Sequence, residues 1–144
     1  GEVARATRSP IAVGETRGGR ADFRGLLELE ALSMVILDLS WCGGISEARK
    51  VAAMAETYHV PVAFHDCTGP VVLAASTHLA LHARNCWTQE MVRAFYHGWY
   101  HRFVTELPPV ERGMITVPKG PGLGVALQPG IKSSKGFRVR RSAA

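Results

Sequence analysis

Four short strand-like runs in this chain each stop at an ionisable side chain. Ile11–Gly14 stops at Glu15, Met34–Leu37 at Asp38, Val60–Phe64 at His65 and Asn85–Gln89 at Glu90. The third run is the plainest. In HVPVAFHDCTGP, residues 59–70, Val60, Val62 and Phe64 suit a buried strand, and Gly69-Pro70 marks the loop beyond. His65 and Asp66 are thereby placed at the lip of a core. An imidazole titrates near neutrality and suits general acid/base work. Carboxylates are hard oxygen donors. Taken singly, each of these residues reads first as a helix cap or a satisfied polar group. Four at the same structural position in succession read as a ring.

The elements that would position this ring alternate along the chain. IAVGE (11–15) reads as a strand and ADFRGLLELEALS (21–33) as a helix, by the spacing of Phe23, Leu26, Leu27 and Leu29. MVILDL (34–39) is an apolar strand stopping at Asp38. SEARKVAAMAETYH (46–59) is Ala-rich, with Ser46 as a candidate N-cap. VPVAFH (60–65) is a strand, PVVLAASTHLALHA (70–83) a helix with Pro70 in its first turn, and NCWTQE (85–90) a further short strand. The order β-α-β-α-β-α-β, with strands that do not alternate, predicts an α/β fold with a parallel sheet covered on both faces. In such folds the C-terminal strand ends carry the chemistry. Past residue 92 the pattern changes to the aromatic, basic FYHGWYHRF and then to a Pro- and Gly-rich stretch, so 1–92 and 93–144 form two parts. After Gly130 few apolar residues remain, which predicts a loosely held tail.

Composition narrows the function. The 144 residues are 47% hydrophobic and 20% charged, and the mean hydropathy of +0.04 is that of a soluble globular chain. No apolar run approaches the roughly 18–20 residues that span a bilayer, the polar start GEVARATRSP is no secretory signal, and no membrane partner is expected. The chain opens on Gly1 and not Met, which suggests that it begins inside a longer gene product. The net charge of +5 gathers at the ends, on Arg5, Arg8, Arg17 and Arg20, and on Lys132, Lys135, Arg138, Arg140 and Arg141. Basic ends without a zinc-finger, RRM or KH signature read as solvated termini, so no nucleic-acid partner is expected. Cys42, Cys67 and Cys86 are odd in number and form no CxxC, which favours packing roles in a reducing cytoplasm.

IAVGE, DLSWCGGISEARKVAAMAETYHVPVAFHD, TQE and GPGLGVAL together resemble the C-terminal half of the mandelate racemase-like branch of the enolase superfamily, over roughly residues 9–130. The resemblance implies a (β/α)8 TIM-type barrel, of which this chain supplies strands five to eight. It implies that Glu15 is a Mg²⁺ ligand, that Asp38 and His65 form a catalytic dyad, and that Glu90 contacts the region where the substrate's enolate develops. Asp66 competes with Asp38 on sequence alone. Adjacent strand residues point to opposite faces, so Asp66 would face away or lie in the loop.

The muconate-lactonizing relatives carry a Lys at the end of strand six, where this chain has Asp38 and no Lys before Lys50. That resembles the racemase and acid-sugar dehydratase type. HDCTGP followed by TQE is most similar to the galactonate dehydratase-like enzymes. The implied reaction removes the proton α to a carboxylate and dehydrates a sugar acid to a 2-keto-3-deoxy acid. A 2-hydroxy-acid racemase or epimerase is the alternative, and an inactive fragment acting by association is another. The resemblance also places two metal ligands, another acid/base group and a capping domain before residue 1. The parent is then the enzyme, expected to be a homo-oligomer. The isolated half barrel is expected to be inactive, to bind Mg²⁺ poorly, and to pair, aggregate or stay partly molten through its open edges.

Other features invite chemistry that their context does not support. His78 and His82 have zinc-binding spacing but lack the Glu of HExxH. His97 and His101 repeat the spacing among Tyr96, Trp99 and Tyr100, a cluster expected to pack on the capping domain. GPGLG (120–124) is followed by neither Lys-Ser/Thr nor a helix, so it reads as a turn.

Overall fold

The apolar run at 34–37 becomes the second of four parallel strands because its neighbours pair with it in strict sequence order. In the computed structural model, which describes residues 1–140, the strands are β1 (Ala12–Val13), β2 (Met34–Leu37), β3 (Val62–Phe64) and β4 (Cys86–Gln89), ordered β1-β2-β3-β4. Val13 pairs with Val35, Ile36 with Ala63 and Leu37 with Phe64. Between β3 and β4 the register slips: Val62 pairs with Cys86 but Ala63 with Thr88, so Trp87 is the extra residue.

After a first short helix, α1 (Glu2–Ala6), helices α2 (Gly19–Leu27), α4 (Ile45–Thr57) and α5 (Pro70–His82) cover one face of the sheet. Val35, Leu37, Val62 and Phe64 pack there against Phe23, Leu27, Val51 and Leu79. On the other face stand Met34, Ile36 and Thr88, each at least partly exposed, with only Ala63 buried among them. The sheet is thus covered by helices on one face among the described residues, not on both. β2 shows why: its burial alternates with period two, as in a strand whose two faces meet different surroundings.

Three helix boundaries differ from expectation for local reasons. α2 stops at Leu27 because Glu30 takes a left-handed conformation (φ 49°) and turns the chain before Ser33 reaches Ile11. A four-residue helix α3 (Leu39–Cys42) follows β2, capped by Asp38. Gly43 (φ 110°) ends it and Gly44 (φ 92°) begins α4, so Gly44 occupies the cap position and Ser46 lies inside the helix. Within α4, Glu47 reaches across to Arg20, accepting from its backbone N–H and from Nε at 2.9 Å each.

The C-terminal part builds a second core around Leu73 of α5. The short helices α6 (Arg93–Tyr96) and Trp99–Arg102 bring Tyr100 and Val104 against Leu73, with Leu107 beside them. The aromatic segment therefore packs within this chain: Trp99 lies edge-on to Tyr100 at 4.6 Å between ring centroids and to Phe103 at 5.4 Å. His97 and His101 lie against Tyr96 at 5.1 and 6.3 Å, on the exposed side. The expected loose tail is held at two points, by buried Ile131 and by Phe137 at 6.2 Å from Phe103. Arg141 lies outside the described residues.

The two cores are tied by Asp66. Its carboxylate, 2% exposed, accepts from the Tyr100 hydroxyl at 2.6 Å and from the Val92 N–H at 2.9 Å. Tyr100→Phe leaves one of these oxygens without its donor. The expected result is a loss of about 1–3 kcal/mol, read as a lower urea midpoint at unchanged slope.

Candidate functional site

β2, β3 and β4 each end one residue before an ionisable side chain, and the register decides which of these side chains meet. Leu37 is level with Phe64, so Asp38 is level with His65. Phe64 is level with Gln89, so His65 is level with Glu90. The three follow Ile36, Ala63 and Thr88 on the face that the helices leave uncovered.

Asp38 and His65 meet as expected. His65 Nδ1 lies 2.8 Å from Asp38 Oδ2, with Asp38 fully buried and the His65 side chain 18% exposed. The same carboxylate accepts from the Ser40 N–H at 2.8 Å, the Ser40 hydroxyl at 2.7 Å and the Thr68 hydroxyl at 3.0 Å. Burial pushes its pKa up, but the bonds from Ser40, His65 and Thr68 together outweigh burial and hold it below the usual aspartate range. Asp38 is therefore an ionised acceptor. Nδ1 carries the ring proton toward it, and Nε2 is the nitrogen free to exchange protons.

Asp66, next to His65, lies in the loop and turns away from the dyad toward Tyr100. Burial raises its pKa above the ordinary value, more than its two donors lower it. Burial and the bond to Asp66 push the Tyr100 hydroxyl up as well. The two adjacent acid/base candidates are thus sorted by environment, one into the dyad and one into the scaffold.

Glu15 reaches the mouth by a different route. β1 ends at Val13, and Gly14 adopts φ 136° where a Cβ would lie 2.7 Å from the Ile36 carbonyl and 2.8 Å from the Phe23 ring. Only glycine fits that corner. The Glu15 carboxylate folds back to accept from the Gly14 N–H at 3.2 Å. Partial desolvation and the negative charges of Asp38, Asp66, Glu90 and Glu15 all raise the pKa of the Cys67 thiol. Cys67 is exposed at this mouth, so the packing role expected for it does not hold. Cys42 does pack, and burial pushes its thiol up to about 11.

Glu15, a hard oxygen donor, suits Mg²⁺ chemistry. Among the described residues no three His, Cys, Asp or Glu side chains gather into a metal-binding group, so Glu15 would supply one ligand of several. His78 does not pair with His82 around a metal; its Nε2 donates to the Leu123 carbonyl at 3.2 Å. That bond fastens the GPGLG turn, in which the Gly124 N–H donates to the Pro121 carbonyl. Ser40, Thr68 and Tyr100 are the site-supporting residues that sequence reasoning missed. A hydroxyl two residues after Asp38 carried an Asx-type capping signal, but nothing local marked Thr68 or Tyr100.

The sequence pattern of the Enolase C-terminal domain-like family matches residues 1–131. Among curated relatives, a D-xylonate dehydratase of Haloferax volcanii is 35% identical over 87% of this chain and 30% of its own length. A D-galactonate dehydratase of Ralstonia pickettii is 39% identical over 85% of this chain and 34% of its own. An enolase of the mandelate racemase subgroup from Agrobacterium tumefaciens superimposes with a TM-score of 0.83 at 56% identity, over 92% of this chain and 35% of that one. The chain therefore spans about a third of the length of the relatives it matches.

Because the pKa of Asp38 is lowered in the folded state, its contribution to stability is complete above the ordinary aspartate value of about 3.9 and is lost as pH falls through the lowered value. In Asp38→Asn this acid-side loss disappears. At neutral pH the variant is less stable by about 1.5–3 kcal/mol, because the amide nitrogen must face one of the two donor pairs. Denaturant titrations at acid and neutral pH measure both effects.

Proposed function

Since this chain belongs to the Enolase C-terminal domain-like family, as part of a mandelate racemase-like member, we propose that its parent protein dehydrates a sugar acid to the 2-keto-3-deoxy acid. The observation that carries this reading is the 2.8 Å contact between His65 and the buried, ionised Asp38 at the strand ends. The names of the two dehydratase relatives supply the substrate class.

In this reaction a base from the part of the parent outside this chain takes the proton α to the carboxylate, the β-hydroxyl departs as water, and the resulting enol becomes the ketone. His65 delivers a proton from Nε2 to the departing hydroxyl, and Asp38 supports the imidazolium that delivers it. Glu90, level with His65 on the next strand, contacts the region where enolate charge develops. Glu15 would hold Mg²⁺ together with ligands from the rest of the parent, and the bound cation would supply Lewis-acid stabilisation of the charge growing on the substrate carboxylate. The mouth lies beside an uncovered sheet face, so closing the site over substrate falls to parts of the parent outside this chain. Cys42, Cys67 and Cys86 are odd in number and unpaired among the described residues, which suits a reducing compartment and supports a cytoplasmic reading. Among the described residues no helix is long and apolar enough to cross a membrane.

Incubating the full-length parent with a library of sugar acids and Mg²⁺ tests the reading. A 2-keto-3-deoxy product is expected, whereas inversion at C2 without loss of water would make the protein a racemase or epimerase. His65→Asn should lower kcat by about 10²–10⁴ while the fold, checked by circular dichroism, is kept.

A further inference from the structure

We propose that Thr68 is a positioning residue for the Asp38–His65 dyad, its hydroxyl fixing the carboxylate oxygen that holds the imidazole. The assignment rests on the acid/base reading of the dyad. Thr68 lies three residues after His65, in the loop between β3 and α5. Its Oγ1 donates to Asp38 Oδ2 at 3.0 Å, the same oxygen that accepts from His65 Nδ1 at 2.8 Å. The other oxygen, Oδ1, accepts twice from Ser40.

A carboxylate offers about four lone-pair positions, and these four donors fill them. Asp38 has no exposed surface, so water cannot stand in for a missing donor. With every position filled, the carboxylate plane cannot turn without breaking a bond, and the imidazole plane is held with it. Ser40 and Asp38 are near neighbours in sequence, so the Ser40 bonds fix the carboxylate only to its own end of β2. His65 and Thr68 come from the facing loop, and together they make a two-point attachment across strands. A single attachment through His65 alone would let the ring swing about that bond. Removing the Thr68 hydroxyl leaves a buried lone pair empty and turns the two-point attachment into one. Valine has the shape of threonine without the donor; serine keeps the donor and loses the methyl.

The test uses the whole polypeptide that carries this chain, with its histidines labelled with ¹⁵N, and compares wild type, Thr68→Val and Thr68→Ser. The readouts are solvent exchange of the His65 Nδ1 proton and steady-state kinetics on whichever sugar acid the wild type accepts. In Thr68→Val, exchange should quicken and kcat should fall, each by about tenfold, with KM nearly unchanged. Thr68→Ser should restore both. The proposal is overturned if the Val variant exchanges as slowly as wild type, or if its exchange quickens while kcat holds. If wild type accepts no sugar acid but exchange still quickens in the Val variant and recovers in the Ser variant, the positioning role stands and the substrate reading falls.

Discussion

A carboxylate with no exposed surface is stable as an anion only where donors replace the water it has lost, and Asp38 is built on that requirement. Its four donors come from the backbone and hydroxyl of Ser40, from His65 and from Thr68. They draw the end of β2, the start of α3 and the loop after β3 to one point. The contact that makes a dyad is therefore also a contact that shapes the mouth. A neutral residue in its place would satisfy fewer of these donors, and the strand ends would lose their common anchor.

Asp66 solves the opposite problem a few ångströms along the same loop. It is buried like Asp38 but has two donors instead of four, so its pKa goes up where that of Asp38 goes down. The stability it contributes is present at low pH and is lost as pH rises through its raised value, the reverse of Asp38. Its partners, Tyr100 and the Val92 N–H, belong to the segment that follows β4. The loop carrying His65 is consequently held from two sides, by the dyad on one and by the second core on the other. A stiff loop suits a group that must present one ring nitrogen in one direction.

The sheet explains why the site belongs to something larger. Helices cover one face, while Met34, Ile36 and Thr88 look out from the other beside the ring of ionisable groups. β1 and β4 each pair with a single neighbour among the described strands. A parallel sheet of this kind is ordinarily buried on both faces. A chain spanning about a third of its relatives' length presents the strand ends of a site without its walls. Trp87, 74% exposed on β4, marks the same unfinished edge.

The alternation of the four strands with the three longer helices, the parallel sheet and the ionisable residue that stops each apolar run were legible in the sequence, whereas the short helix α3 was not. Apolar run length and the polar residue that stops each run are local properties, and local properties survive folding. The pairing of Asp38 with His65 was legible too, because parallel neighbours bring equivalent strand ends level. What followed β4 was not. The slipped register at Trp87 decides that Glu90 rather than Gln89 stands level with His65, and a bulge depends on both strands at once. Coverage of only one sheet face was hidden because a buried run reads the same whatever buries it. Thr68 and Tyr100 carried no local mark, since a hydroxyl becomes a dyad support or a latch only when folding brings it to a buried carboxylate. Asp38 and Asp66 are the same residue type with opposite protonation tendencies, and only the number of donors that tertiary structure delivered to each set them apart.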